Sequence, residues 1–467
     1  MKKTLLSISV SCLFLNVLMA QPDVAITPTD SSQNPATIRP VKSEPFSNGD
    51  YTWINGNDRR QYSALKTKYF TGNILLDVNY NYSLNNPIDN TVVGSTAIGR
   101  HNEMQLSNAS LGGDFYYKGA RGRIQTQFGT RSTLVPRNDF SAYRGQYDLA
   151  NVYRYISEAY TGYHWDKMHG INFDVGMFMS YVGLFSYYNQ ENWAYQPSFT
   201  SDNTPWFFNG ARLQMFPTEK LKIELWLING WQSYAKFNDM PGFGFQTVWR
   251  PRDYVQFLTN NYFGTDAGGI KQRRRYHTDN SFLIRYINRP EAKGLSRSAI
   301  SITSDIGCEE GGGVDGFRGT ATAPKQFFIS GMIYHRMWFN KNHIGWTVGG
   351  GFMNNPGRYL VLLPTGQASV LPNPLNPTAT AGAYPFTANP GDQFVAWDAS
   401  TSVDWMPNQS ITFRAEFVHR EANTPYFAGR GGVTSPNGYI TTPLTPDWRP
   451  DLRKTENRII FAVLFRI

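Results

Sequence analysis

The sequence predicts an all-β protein, a transmembrane antiparallel β-barrel of about 16 strands with short periplasmic turns and long outer loops. Three observations support this prediction. Segments of about ten residues alternate between apolar and polar side chains along most of the chain. Aromatic residues make up 15% of the 467 residues and charged residues make up 17%, so both kinds of side chain are abundant in the same chain. After the N-terminal leader, the sequence contains no apolar stretch of about 18 residues that could form a spanning helix.

The N-terminus has the pattern of a secretory signal peptide. Lys2 and Lys3 precede a mostly apolar run, and the run ends at Ala20, a plausible cleavage point. We therefore expect residues 1–20 to be removed on export, which lowers the formal net charge of +9 by two. Cys308 would then be the only cysteine, so the exported chain could form no internal disulfide.

Residues 21–60 have a different composition from the rest of the chain. Five prolines occur among Ser, Thr, Asn and Asp without any periodicity. Such a composition predicts a flexible, Pro-rich periplasmic extension. A second interpretation is that the stretch from Trp53 to Gly56 caps or plugs the barrel. In either case the barrel is expected to occupy residues 61–467.

The alternation has the period of a β-strand rather than that of a helix. In one segment Leu221, Ile223 and Leu225 alternate with Lys222 and Glu224. An amphipathic helix would instead place apolar residues three and four positions apart. Within a bilayer, a sheet must close on itself because every backbone polar group needs a partner. Alternating strands therefore predict one face toward lipid and one toward the lumen.

The spacing of the alternating segments predicts the number of strands. Seven short connections alternate with eight longer polar ones, which gives an even number of strands and places both chain ends on the periplasmic side. The predicted strands are 68–82, 103–117, 120–132, 152–165, 170–184, 205–216, 219–231, 243–250, 253–264, 273–287, 296–307, 325–339, 343–355, 393–405, 409–420 and 457–467.

The last segment of the chain is an amphipathic strand. Ile459, Phe461, Val463 and Phe465 alternate with a set that includes Arg458, Ala462 and Arg466, and the sequence stops at Ile467 inside the strand. This ending resembles the signal read by the barrel-assembly machinery, although many such signals end in Phe or Trp. We therefore expect that machinery, outer-membrane lipid and lipopolysaccharide to be the partners of the chain.

Three blocks of sequence carry a family resemblance. They are Gly176-Met-Phe-Met-Ser-Tyr-Val-Gly183, Pro205-Trp-Phe-Phe-Asn-Gly-Ala-Arg212 and Leu227-Ile-Asn-Gly-Trp231. With the secretion signal and the Pro-rich lead, the chain resembles the β-barrel porin type-2 (OmpL-like) family over most of residues 50–467. The resemblance implies residence in the outer membrane of a Gram-negative bacterium and passive or weakly selective diffusion of solutes. It implies no catalytic residues.

The polar sides of the strands supply the candidate pore-lining residues. Fixed positive charge in a narrow aqueous pore favours anions. The alternative is that arginines and carboxylates pair with one another and brace the wall. The predicted pore-lining residues are Arg121, Arg123, Gln125, Gln127, Arg131, Arg154, Glu158, Arg212, Glu224, Asp279, Arg285, Arg414, Glu416 and Arg420. The residues predicted to face lipid are Ile124, Phe128, Leu225, Ile284, Phe413 and Phe461.

Other motifs do not predict a cofactor, a metal or a catalytic site. The glycines at 311, 313 and 316 match a dinucleotide fingerprint by spacing, but acidic residues precede them where a strand is required. The seven histidines show no metal-ligand spacing. His277 with Asp279 is the pair that a hydrolase would use, and a structural role is favoured. The three arginines at 273–275 are too few to indicate nucleic-acid binding.

The sequence therefore predicts a non-enzymatic porin of the cell outer membrane, through which small hydrophilic solutes diffuse with a weak anion preference. One alternative is a plugged or substrate-specific barrel that acts in an envelope uptake complex. An outer-membrane hydrolase or adhesin is a less favoured alternative. A homotrimer is a possible assembly, but one sequence shows no interface.

Overall fold

Sixteen long β-strands form one antiparallel sheet. The structure, a computed structural model, describes residues 44–136, 139–356, 393–433 and 450–467. The predicted signal peptide lies outside the described residues. The strands are β1 Phe70–Ser83, β2 Glu103–Tyr117, β3 Ala120–Thr126, β4 Ile156–Trp165, β5 Ile171–Met179, β6 Phe207–Thr218, β7 Leu221–Ile228, β8 Gly242–Arg252, β9 Val255–Gly264, β10 Arg274–Asn288, β11 Leu295–Gly311, β12 Phe327–Phe339, β13 Ile344–Asn354, β14 Val395–Asn408, β15 Ile411–Ala422 and β16 Thr455–Arg466.

The sheet closes because the first and last strands pair with each other. β1 pairs with β16 from Leu75 opposite Arg466 to Ser83 opposite Arg458. Every other long strand pairs with its neighbours in sequence. A closed sheet leaves no unpaired edge, which is the condition for a sheet to span a bilayer. The predicted barrel of 16 strands is confirmed.

The connections alternate in length as the sequence predicts. Seven short turns connect strands at the periplasmic end, and eight longer loops connect them at the outer end. The turn between β2 and β3 consists of Lys118 and Gly119, whose φ angles are +50° and +87°. Positive φ at both positions is the requirement of a two-residue type I′ hairpin turn.

Short elements occupy the outer loops. The α-helices are α1 Arg131–Leu134, α2 Leu149–Tyr153 and α3 Phe199–Asp202, and 3₁₀ turns lie at Ser141–Tyr143 and Asn189–Glu191. Two-residue strands lie at Val314–Asp315, Phe427–Ala428 and Leu452–Arg453. In the described ranges, none of the helices has the length and apolar character needed to cross a membrane.

The two faces of each strand differ in chemistry. Of the residues predicted to face lipid, Ile124, Phe128, Leu225, Phe413 and Phe461 are exposed on the outside of the barrel. Ile284 also points outward but is half-buried. The opposite face, toward the lumen, carries charged and amide side chains, and most of them are buried. Their burial shows that the outer loops and the N-terminal segment occupy much of the lumen.

Candidate functional site

The third outer loop lies inside the barrel rather than above it. We call residues 180–206, between β5 and β6, the inner loop. Its aromatic side chains are buried, and Tyr195 has no exposed surface. A Ser198 side chain that accepts a hydrogen bond from the Thr200 N–H caps the short helix α3. Gly183, at φ +101°, lies so close to Thr204 that a Cβ would stand 2.9 Å from the Thr204 Oγ1.

Carboxylates on the barrel wall bind the backbone of the inner loop. Glu416 on β15 accepts hydrogen bonds from the N–H groups of Tyr195, at 2.6 Å, and Gln196, at 2.8 Å. Asp398 on β14 accepts from the N–H of Phe199, at 2.8 Å. Each of these hydrogen bonds satisfies a backbone N–H that would otherwise be buried without a partner. These carboxylates therefore fix the path of the loop along one side of the barrel.

Arginines of the same wall bind the carbonyl groups of the inner loop. Arg414 on β15 donates to the Asn192 carbonyl oxygen at 2.8 Å and forms an ion pair with Asp404. Arg336 on β12 donates to the Trp193 carbonyl oxygen at 3.2 Å. Strands β12 and β15 therefore bind the loop backbone, and side chains of the loop also bind Asp77 on β1 and Ser157 on β4.

A cavity of about 110 Å³ lies between the inner loop and strands β2 to β8. Its walls combine aromatic rings with charged groups. From the inner loop come Tyr181, Tyr187, Tyr188, Glu191 and Trp206, and from the barrel wall come Asp114, Arg123, Glu158, Tyr160, Phe178, Arg212, Lys222, Glu224, Trp226 and Gln246. We call this cavity the lumen gap. It is the candidate path of a solute.

The charged groups of the lumen gap pair with one another. Arg123 forms ion pairs with Asp114, at 2.7 Å, and with Glu158. Lys222 lies 2.7 Å from the Glu224 carboxylate. The gap is thus lined by three cationic and four anionic side chains and is close to neutral. Such pairing satisfies buried charges that would otherwise be costly to remove from water.

Arg212 lies in an aromatic setting at the edge of the gap. Its guanidinium carbon is 4.8 Å from the Phe178 ring centroid, 5.0 Å from that of Tyr160 and 5.4 Å from that of Trp226. Its Nη2 donates to Asp174 at 2.7 Å. Cation–π contacts and one ion pair therefore hold this side chain in place.

An N-terminal segment crosses the periplasmic end of the barrel. We call residues 44–61 the strap. The Phe46 N–H donates to the turn between β6 and β7 at 2.6 Å, and Trp53 Nε1 donates to the turn between β8 and β9 at 3.0 Å. Arg59 Nη2 donates to the end of β14 at 2.9 Å. Because β6 and β14 lie on opposite sides of the ring of strands, the strap spans the mouth.

The strap also reaches the inner loop. The Asn55 Oδ1 accepts a hydrogen bond from the Trp193 N–H at 2.7 Å. Gly56, at φ +84°, lines the lumen gap, and a Cβ there would stand 2.3 Å from the Leu184 carbonyl oxygen. A flexible extension was expected over residues 21–60. Over the described part of that range, contacts with the turns and with the inner loop bury residues such as Trp53 and Ile54.

Two carboxylates of the strap are held by arginines of the wall. Asp50 lies 2.9 Å from Arg297 and 3.8 Å from Arg285. Burial acts to raise the pKa of Asp50, but the charge of Arg297 and hydrogen bonds from Thr52 hold it below its usual range. Burial is likewise outweighed at Asp58, whose pKa Arg466 and Arg60 keep lowered. Both groups are therefore ionised at neutral pH.

The structure places most predicted pore-lining residues on the inner face of the wall. Those on strands are Arg121, Arg123, Gln125, Glu158, Arg212, Glu224, Asp279, Arg285, Arg414, Glu416 and Arg420. Only part of this set meets in one place. Arg123, Glu158, Arg212 and Glu224 line the lumen gap. Arg414, Glu416 and Arg420 bind the inner loop instead.

Three predicted residues do not lie on strands. β3 ends at Thr126, so Gln127 follows it and Arg131 begins α1. Arg154 stands at the end of α2, where its side chain contacts Ala150 and Asn151 of its own helix. The prediction that strands extend over 120–132 and 152–165 was therefore too long at the outer ends, where the chain folds into the barrel as a loop.

The pair His277 and Asp279 is not arranged as in an external hydrolase. Both side chains are buried on the inner face of β10, and His277 Nε2 lies 2.5 Å from Asp305 on β11. Trp231 packs against the imidazole, with 4.6 Å between the ring centroids. This arrangement is that of a buried structural cluster in the barrel wall. The glycines at 311, 313 and 316 lie in a hairpin that joins β11 to the two-residue strand Val314–Asp315. A dinucleotide fingerprint would instead join a strand to a helix.

The role of the inner loop was not predicted from the sequence. Residues 185–204 were expected to form one of the long outer loops, and Asp114, Glu191 and Lys222 were not among the predicted pore-lining residues. The density of Tyr, Phe and Trp between Tyr181 and Trp206 was the available signal. Aromatic side chains in such number are seldom left in water, and here they pack inside the barrel.

The family of the chain follows from a sequence comparison. The family model described as "Putative beta-barrel porin-2, OmpL-like" matches residues 69–445. The chain belongs to this porin family. It is accordingly a protein of the outer membrane, in contact with membrane lipid, and a channel for small solutes. A comparison with curated proteins gave no significant match.

Solved structures of outer-membrane barrels resemble the chain at a distance. The channel DcaP of Acinetobacter baumannii is 8% identical, with a TM-score of 0.49 and coverage of 87% of this chain and 100% of that one. An anion-selective porin from Comamonas acidovorans is 8% identical, with a TM-score of 0.48 and coverage of 85% and 99%. OmpT of Vibrio cholerae is 8% identical, with a TM-score of 0.45 and coverage of 86% and 99%. Likenesses this distant assign no solute.

Proposed function

We propose that this porin is a diffusion channel for small hydrophilic solutes and that the lumen gap is its narrowest part. The observation that supports this proposal is the lining of the space between the inner loop and β2 to β8. Polar and charged groups line that space, whereas the loop backbone is bound to β12 and β15 on the other side of the barrel. Sixteen strands enclose a lumen wide enough for an aqueous path.

Reconstitution tests the proposal directly. The folded full chain, inserted into planar bilayers in KCl, is expected to give discrete conductance steps. Those steps should be smaller than expected for an unobstructed barrel of this size, because the inner loop and the strap occupy part of the lumen. Folded protein that inserts and gives no conductance would contradict the proposal.

We further propose a weak anion preference. Most buried arginines of the described ranges are within ion-pair distance of a carboxylate, but Arg131 and Arg250 are not. The Arg131 guanidinium lies 4.2 Å from the ring centroid of Tyr187, and that of Arg250 lies 4.2 Å from the ring centroid of Tyr51. Their fields act on ions in the lumen. The paired charges elsewhere keep the preference weak.

This assignment changes the residues expected to set selectivity. Among the arginines predicted from the sequence to line the pore, Arg123 and Arg414 are neutralised by carboxylates and Arg154 binds its own helix. Reversal potentials under a KCl gradient should move toward zero in Arg131→Gln and in Arg250→Gln. Arg154→Gln is the matched control, because that side chain binds its own helix. A cation-preferring wild type would contradict the assignment.

A plugged or substrate-specific barrel is the second candidate. The strap across the mouth favours it, since the strap would have to shift for larger solutes to leave. Lipopolysaccharide and the barrel-assembly machinery are also proposed as partners. A homotrimer is proposed as the assembly. A trimer form is known for OmpT of Vibrio cholerae. Cross-linking of the protein in isolated outer membranes tests the oligomeric state.

A further inference from the structure

Aromatic side chains line the lumen gap on both of its sides. Tyr181 of the inner loop stacks on Trp226 of β7, with 4.9 Å between the ring centroids and an interplanar angle of 20°. Phe178 meets the same tryptophan edge-on at 5.2 Å. Tyr187 and Trp206 of the inner loop line the gap as well. The stack covers one face of Tyr181 and one of Trp226, so a solute in the gap touches the aromatic surface that remains, which binds apolar faces without requiring charge.

Hydrogen-bond donors without partners accompany these rings. Trp206 Nε1, Arg123 Nη2 and Arg212 Nε are buried and make no hydrogen bond, and all three side chains line the gap. The Gln246 Oε1 is a buried acceptor in the same position. A buried polar atom left unpaired costs about 1–3 kcal/mol. A solute that offers several acceptors and a donor would satisfy these atoms.

The charge balance of the gap disfavours an ionic solute. The carboxylates of Asp114 and Glu158 already bind Arg123, and Glu224 already binds Lys222. A charged solute would have to compete with one of these pairs. A neutral solute can use the remaining N–H groups and lone pairs while the pairs stay intact. The cavity of about 110 Å³ is also smaller than the roughly 300–1,000 Å³ typical of sites for drug-sized ligands.

We propose that the lumen gap is a binding site for a neutral, ring-shaped, polyhydroxylated solute of monosaccharide size. The apolar face of the ring would stack on the aromatic side chains. Its hydroxyl groups would accept from Trp206 and Arg212 and donate to Gln246. This inference rests on the proposed diffusion function, and it adds a solute class to that function.

Liposome swelling with two solutes tests this inference. D-glucose and sorbitol have the same number of carbon atoms, but sorbitol is acyclic and offers no flat ring face. Proteoliposomes of the full chain should admit glucose faster than sorbitol in isosmotic solutions. Trp226→Leu removes aromatic surface and should lower the ratio of the two rates, whereas Trp206→Phe keeps the ring, removes the Nε1–H and should lower the glucose rate by about 2- to 10-fold, the effect of one hydrogen bond. Trp405→Phe, on the outer face of β14, is the matched control.

The outcomes separate the inference from the proposed function. An absence of both KCl conductance and swelling would contradict the diffusion function itself. Normal conductance with equal glucose and sorbitol rates in the wild type would overturn only the solute class. A high ratio that Trp226→Leu leaves unchanged would also overturn it, and so would a glucose rate that Trp206→Phe leaves unchanged, provided that both variants conduct KCl as the wild type does.

Discussion

Asp202 and Arg420 form an ion pair in which both side chains are fully buried, with 3.1 Å between Oδ2 and Nη2. Asp202 ends α3 in the inner loop, and Arg420 lies on β15. The same guanidinium donates to the Gly94 carbonyl oxygen of the first outer loop at 2.5 Å and lies 3.7 Å from the ring centroid of Phe199. One side chain of the wall therefore binds two loops that fill the lumen.

Replacement of Arg420 should loosen the inner loop. Arg420→Ala leaves Asp202 buried without its partner, and the loss of one member of such a pair typically costs about 3–5 kcal/mol. We expect a larger and noisier single-channel conductance and a lower temperature for the heat-induced shift in gel mobility. Arg318→Ala, in an exposed pair worth about 0–1 kcal/mol, is the control. A folded Arg420→Ala channel with wild-type conductance would show that this pair does not hold the constriction.

The strap is expected to narrow the periplasmic exit. Deletion of residues 44–61 removes no barrel strand, so folding should be retained while the conductance increases. Arg59→Ala should give a smaller increase, because it releases only the end of the strap bound beside β14. Lys66→Ala, at an exposed position after the strap, is the control. Equal conductance with and without the strap would show that the mouth is not limiting.

The attachment of the strap should depend on pH in a defined direction. Asp50 and Asp58 have pKa values held below the usual range, so their ion pairs persist at neutral pH. A carboxylate whose pKa is lower in the folded than in the unfolded protein stabilises the folded state at pH values above its unfolded pKa, about 3.9. That stabilisation is lost as the pH falls through the folded pKa. Wild-type conductance should therefore approach that of the strap deletion only below about pH 4. The deletion variant, measured over the same pH range, corrects for the other carboxylates.

The sequence was sufficient to predict the barrel because the side chains of a strand point to the same face at every second residue. The inward positions of Arg123, Gln125 and Arg414 follow directly from that period. The inner loop and the strap have no period, and their positions depend on contacts between residues distant in sequence, such as Asn55 with Trp193. The position of Arg131 could not be predicted from the alternation either, because contacts of the loop determine where β3 ends.

Thiol labelling can test the orientation of the barrel. In a Cys308→Ser background, Thr320→Cys lies in an exposed outer loop and Lys341→Cys lies in a short, exposed turn. A maleimide too large to pass the channel should label Thr320→Cys on intact cells and Lys341→Cys only after the outer membrane is opened. The reverse pattern would mean that the short turns face the outside.

The outer face of the barrel should tolerate charge according to depth. Phe461 lies in the middle of β16 and is 53% exposed, whereas Phe413 lies two residues from the start of β15, beside a periplasmic turn. Phe413 also stacks on Trp405, with 5.0 Å between centroids, in the manner of an interfacial aromatic belt. An arginine on the lipid face costs about 2–4 kcal/mol at the midplane and about 0–1 kcal/mol near the interface.

Phe461→Arg should therefore impair assembly far more than Phe413→Arg. The measurement is the fraction of heat-modifiable, folded protein in isolated outer membranes and after refolding into vesicles. Phe461→Leu controls for the loss of the ring, because leucine keeps the position apolar. If both arginine variants assemble equally well, Phe461 does not lie at mid-depth in the bilayer, and the register of β16 relative to the membrane would have to shift.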